Sequence, residues 1–272
     1  MTSIIISSDV TAICPEVGEK IASAMNLELL GPSVLSKIAQ KHQVPESELK
    51  RVLEPNSYHR VSAKKRSRLL ALIQNATLER LTEKGVVCVG LGAHLYVRDV
   101  SHVLMINMLH GTKHRAKAMS TAGNVSEQRA TKLIQKEDEL RSRWSVDCFG
   151  LDETDPSHYD MVINIERLEH KQLVEIVKDM AGYRKFQPMS YSTLCLNHLL
   201  IASRIKTIVL PEYPNAQIEF DGERAIISVG ALWGKQKIVE SVKEMVGKVD
   251  GVGLVEVYVE KRLSWPLNRV SR

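Results

Sequence analysis

Four short apolar runs, at residues 4–6, 86–89, 103–106 and 161–165, are separated by stretches of helical periodicity, and this alternation restricts the fold more than any other feature of the chain. Ile4, Ile5 and Ile6 form a β-branched run that suits a pleated, buried strand. Strands that alternate with helices predict an α/β fold, with a parallel sheet covered on both faces. Ligands of such sheets bind beyond the carboxyl ends of the strands. The connections that follow the runs are therefore where chemistry is expected.

Pro15 is placed to open the first helix, because its missing N–H costs nothing there. Val17, Ile21, Ala24 and Met25 then share one apolar face that packs on the sheet. Shorter helices are predicted at 34–40 and 46–53, and a turn-like stretch at 54–62 leads into a long helix that buries Leu69, Leu70, Ile73, Ala76 and Leu81 and ends at Lys84-Gly85. Further helices are predicted at 113–120, 126–144 and 170–181. After Tyr183 the pattern changes: a helix at 192–205, strands at 217–220 and 225–229 around Asp221-Gly222, a helix at 235–246 and a strand at 252–259. This α-β-β-α-β series predicts a second, small α+β unit. The expected division is 1–185 for the large domain, 190–262 for the small one and 263–272 for a tail.

The 272-residue length suits one large and one small domain, each with its own core. A net charge of +5 is spread along the chain and aromatics make up 5%, so no nucleic-acid partner is expected. Cys14, Cys88, Cys148 and Cys195 stand far apart with no CxxC pair, which argues against a zinc site or a disulfide framework and for a reducing, cytoplasmic setting. No apolar run approaches the ~18 residues of a membrane span, and the first ten residues lack the basic region and cleavage site of a secretory signal.

An ordered series of short motifs runs through the large domain. Ile6-Ser7 is followed by Pro15-Glu16-Val17-Gly18; Gly90-Leu91-Gly92-Ala93 follows the second apolar run; Arg115 follows the third. Asp138 and Arg141 then come before Phe149-Gly150, and Tyr159-Asp160-Met161-Val162-Ile163-Asn164 closes the series. This order resembles the cytidylate-kinase-like family, a branch of the P-loop nucleoside monophosphate kinases. The small unit, with Gly251-Val252 near its end, resembles a BON module. The first resemblance implies ATP with Mg²⁺ and a nucleoside monophosphate such as CMP; the second implies a protein or phospholipid-surface partner.

The residues that depart from the family lie on the phosphate-binding side. The family loop reads Phe-Gly-Ser-Gly-Gly, where this chain has Val10-Thr11-Ala12-Ile13-Cys14. Glycine lets backbone N–H groups wrap a phosphate, whereas a β-branched residue such as Ile13 resists positive φ and crowds the anion. Asp9 and Glu16 beside the loop oppose an anion as well. Leu91 replaces the family's arginine, removing a charge-assisted donor, and Gly31 replaces an aspartate. The resemblance nevertheless assigns nucleotide contacts to Ser8, Thr11, Ala12, Ile13, Cys14, Gly90 and Gly92, and lid-side catalytic roles, if the protein is active, to Arg115, Asp138, Arg141 and Arg143. Asp138 and Arg141 have a second reading, as an ordinary i,i+3 ion pair on one helix face.

No metal site is assigned. His110 and His114 have i,i+4 spacing but no third ligand nearby in sequence. The basic run His59, Arg60, Lys64, Lys65, Arg66 and Arg68 reads as a solvated helix start, and Leu232-Trp233 as either core or an exposed apolar tip. Three functions follow. The first is a degenerate, non-catalytic nucleotide- or partner-binding sensor, the second an active nucleoside monophosphate kinase, and the third a scaffold acting through the BON-like unit.

Overall fold

The computed structural model describes residues 2–9 and 14–261. Assignments made to Thr11, Ala12, Ile13 and the 263–272 tail, and to the side chain of Cys14, lie outside the described residues. The first element is β1 (Ser3–Ser8), followed by α1 (Cys14–Met25), β2 (Glu28–Leu30), α2 (Val34–His42), α3 (Glu46–Leu53), α4 (Ala63–Glu83) and β3 (Val86–Val89). Then come α5 (Ala93–Tyr96), β4 (Val103–Leu109), α6 (Thr112–Gly123), α7 (Glu127–Phe149), β5 (Met161–Asn164) and α8 (His170–Gly182). The chain continues with α9 (Ser190–Val209), β6 (Gln217–Phe220), β7 (Arg224–Gly230), α10 (Lys235–Val246) and β8 (Leu254–Glu260).

β1 to β5 form one parallel sheet in the order β2-β3-β1-β4-β5. The two-residue period of a strand sorts the apolar side chains onto two faces. Ile5, Cys88 and Met105 meet the cover made by α2, α3 and α4, while Ile4, Ile6, Val87, Val89, Leu104 and Ile106 meet α1 and α8. The isoleucines of β1 are fully buried, each worth about 1.5–3 kcal/mol relative to exposure. Gly18 allows α1 to lie this close: a Cβ there would stand 2.5 Å from Val89 Cγ2.

The sequence expectation missed β2 and α5 and ended α7 early. β2 is three residues long, entered through Asn26 at φ 54°. α7 runs to Phe149 and is closed by Gly150 at φ 73°, a left-handed cap that glycine adopts without strain. β8 begins at Leu254, two residues after the expected start.

β6, β7 and β8 form a separate three-stranded sheet, antiparallel between β6 and β7 and parallel between β7 and β8. α9 belongs to both cores. Leu196 and Leu200 pack into the core under the large sheet, whereas Ile205 and Val209 pack with Ile218, Ile227 and Val242 of the small one. Where α9 crosses α4, Ser203 Oγ lies 3.1 Å from Asn75 Oδ1, both residues being buried. No helix among the described residues is long and apolar enough to cross a membrane.

Candidate functional site

β1, β3 and β4 all deliver their carboxyl ends to one side of the large sheet, where a cavity of about 490 Å³ opens. Ser8 and Asp9 line it from the end of β1, Gly90 to Gly92 from the end of β3, and Arg115 and Arg141 from α6 and α7. Gly90, Leu91 and Gly92 have φ values of 73°, 60° and 66°. Three successive left-handed residues turn the chain sharply from β3 into α5, and the middle one is strained because it carries a side chain. The Leu91 side chain is buried against this cavity at the family's arginine position.

The guanidiniums are already committed. Arg115 Nη1 reaches both Asp138 oxygens, at 2.9 and 3.0 Å, and stands 3.5 Å from Asp9 Oδ2. Arg141 Nε donates to Glu153 Oε1 at 3.0 Å, and His94 Nε2 lies 3.1 Å from Glu153 Oε2. The i,i+3 pairing considered for Asp138 and Arg141 is not formed: Asp138 pairs with Arg115 of α6, and Arg141 with Glu153 of the 150–160 connection. Arg143 is exposed and faces the adjoining cleft, lined also by His110 and Asn107, that shares Asp9, Arg115 and Arg141 with the first.

Glu153 is the residue that the sequence expectation lacked. Its side chain is 4% exposed, its N–H donates to Ser145 Oγ at 3.0 Å, and its carbonyl accepts from Tyr159 at 2.7 Å. Burial raises its pKa, but the hydrogen bond from His94 and the charge of Arg141 outweigh that and hold the carboxyl below its usual range. Asp9 shows the reverse balance. Burial pushes it above its usual value despite N–H donation from His110 and the nearby Arg115. His110 and His114 rings lie 5.8 Å apart, and no group of three or more potential metal ligands occurs among the described residues.

The large sheet is thus parallel, ordered β2-β3-β1-β4-β5, flanked by helices, and carries a polar cleft at the carboxyl ends of its strands. Residues 3–167 match the cytidylate kinase-like family, and the chain belongs to it. Among solved structures it is similar to an uncharacterized protein from Eubacterium ventriosum ATCC 27560, at 16% identity over 68% of this chain and 100% of that one, with a TM-score of 0.48. It is also similar to shikimate kinase from Bacteroides thetaiotaomicron, at 11% identity over 67% of this chain and 99% of that one, TM-score 0.43. Dephospho-CoA kinase from Campylobacter jejuni is similar at 10% identity over 66% of this chain and 97% of that one, TM-score 0.36. No curated protein matches.

Family membership implies a nucleotide and Mg²⁺, and the described residues fit phosphoryl transfer poorly while leaving room for a bound nucleotide. Transferring a phosphoryl group calls for cations free to neutralise charge in flight. Here Asp138 and Glu153 already balance Arg115 and Arg141, and Leu91 supplies no charge.

Proposed function

We propose that this member of the family is a non-catalytic binding protein, holding a nucleotide or nucleotide-like ligand in the cleft between β1, β3, α6 and α7 without transferring phosphate. The observation that carries this reading is the pairing of both cleft arginines with carboxylates, Arg115 with Asp138 and Arg141 with Glu153. A balanced guanidinium still shapes and hydrogen-bonds a ligand, but it gives little extra stabilisation to a transition state relative to the ground state. Loss of one preorganised donor from such a site costs ~2.7–4 kcal/mol. The glycine-free sequence at Thr11, Ala12 and Ile13 compounds that loss.

In this reading residues 1–185 bind the ligand. Residues 190–262 form a BON-like unit that passes the bound state to a protein or phospholipid surface in the cytoplasm. Leu232 and Trp233, 69% and 87% exposed, support the unit's role as a contact surface. Retention of Arg115 and Arg141 in one cleft favours a second reading, an active CMP-type kinase using ATP.

Titration calorimetry of the whole chain against ATP, ADP and CMP, with and without Mg²⁺, followed by a turnover assay, separates these readings. Binding without turnover is the expected result. Phosphoryl transfer above background would establish the active kinase, and absence of all binding would leave the scaffold role.

A further inference from the structure

A second cavity, of about 780 Å³, lies away from the cleft described above, where α4, α7 and α9 meet the end of β7. Its volume is in the range of small-molecule sites, about 300–1,000 Å³. Arg66 enters it from α4, Lys206 from α9 and Lys261 from beyond β8, against a single acid, Asp147. That acid is engaged elsewhere: its Oδ2 accepts the Tyr58 hydroxyl at 2.6 Å. Arg66 stands 5.2 Å over the Tyr58 ring, and none of the three cations forms an ion pair among the described residues.

Two further features point the same way. Lys206 is half-buried, and burial pushes its ammonium below its ordinary pKa. The first turn of α4 also opens onto this cavity through Ala63, Arg66 and Ser67. That turn contains no acid, and its N-cap Ser62 makes no side-chain capping bond. Cations at a helix N-terminus oppose the macrodipole, and an anion seated there relieves both. The remaining wall sets Leu70, Leu210 and Leu232 beside the polar Gln74 and Asn215.

We propose that this cavity between the two sheets binds a small organic phosphate, its anionic group held among Arg66, Lys206 and Lys261 and its apolar part against Leu70, Leu210 and Leu232. The site shares only Asp147 with the cleft adjoining the kinase-like one and none of its arginines, so it stands whether or not that cleft binds a nucleotide. Because α4, α7 and α9 all contribute, an occupant would touch both sheets' supporting helices at once.

Calorimetric titration of the whole chain with inorganic phosphate and with phenyl phosphate tests this. Phenyl phosphate should bind more tightly than phosphate, since only it covers the apolar wall. Lys206→Met should weaken phenyl phosphate ~10-fold or more without lowering the melting temperature of the ligand-free protein. Lys261→Glu, at an exposed position, should weaken it too and serves if the first variant does not fold. Failure of phenyl phosphate to bind at about 10 mM, or unchanged affinity in both variants, overturns the proposal.

Discussion

The two cavities are built from the same kinds of side chain and treat them in opposite ways. In the cleft at the carboxyl ends of β1, β3 and β4, each buried guanidinium faces a carboxylate. In the cavity between the sheets, Arg66, Lys206 and Lys261 share one acid whose oxygen already serves Tyr58. Arginines balanced within the protein act as internal ties, fixing α6 and α7 over the sheet. Cations left without partners carry a desolvation cost that only an outside anion relieves.

Breaking the tie at Glu153 is the strongest way to test that contrast. Glu153→Ala leaves the Arg141 guanidinium buried without its counter-charge and takes the carboxylate from His94, so a loss of ~3–5 kcal/mol is expected in denaturant unfolding. The dependence on pH has a definite sign. The Glu153 carboxyl is held below its ordinary value of 4.5, so its stabilisation is present above that pH and lost as pH falls through the lower folded value. Asp9, raised above its ordinary 3.8, works the other way: its contribution favours folding below 3.8 and is lost as pH rises through its folded value. The stability gap between wild type and Glu153→Ala should therefore close in acid. A gap below ~1 kcal/mol at neutral pH would mean that Arg141 is solvated and available to a ligand.

Much of the scaffold is legible in the sequence: β3, buried on both faces, reads as an uninterrupted apolar run, β6 is marked by the Asp221-Gly222 turn after it, and α3 and α10 by their helical periodicity, and all four occupy the residues that the pattern marks. β2 escapes because three residues cannot establish a period, and its central-strand neighbour, not its own sequence, makes Glu28–Leu30 extended. Gly150, standing directly after Phe149, was the available signal for the true end of α7. The site divides similarly. Arg115, Asp138 and Arg141 are visible through spacing shared with a family, and the structure brings all three to one cleft. Glu153 stands in a connection with no periodicity, and His94 lies within an apolar stretch, so neither residue announces its partner. Their contact depends on how residues 150–160 fold back over α5, which is tertiary information.

A second comparison, between the two sheets, is sharpened by Ser203→Ala. The substitution leaves the buried Asn75 Oδ1 without a donor from α9, and a loss of ~1–3 kcal/mol is expected. Since α9 supplies Leu196 and Leu200 to one core and Ile205 and Val209 to the other, the whole chain should lose stability in one shared transition. If far-ultraviolet circular dichroism and tryptophan fluorescence instead report separate midpoints, the small sheet unfolds independently and α9 is a tether between two autonomous domains.

The smallest effect is expected at Trp233→Ser. A side chain 87% exposed has almost no contact area to lose on unfolding, so the change in stability should stay within ~0.5 kcal/mol. That near-silence is informative, because an indole kept in water at the tip of the small sheet, next to an exposed Leu232, is costly for solubility and gives folding nothing in return. If the tip serves an outside partner, the variant should fold like wild type and differ only in association, read by sedimentation velocity and by pelleting with anionic vesicles. A loss of more than ~1 kcal/mol would place the indole against the protein's own surface. The tip would then join Glu153 as an internal tie and leave the cavity holding Lys206 as the principal feature built toward an outside ligand.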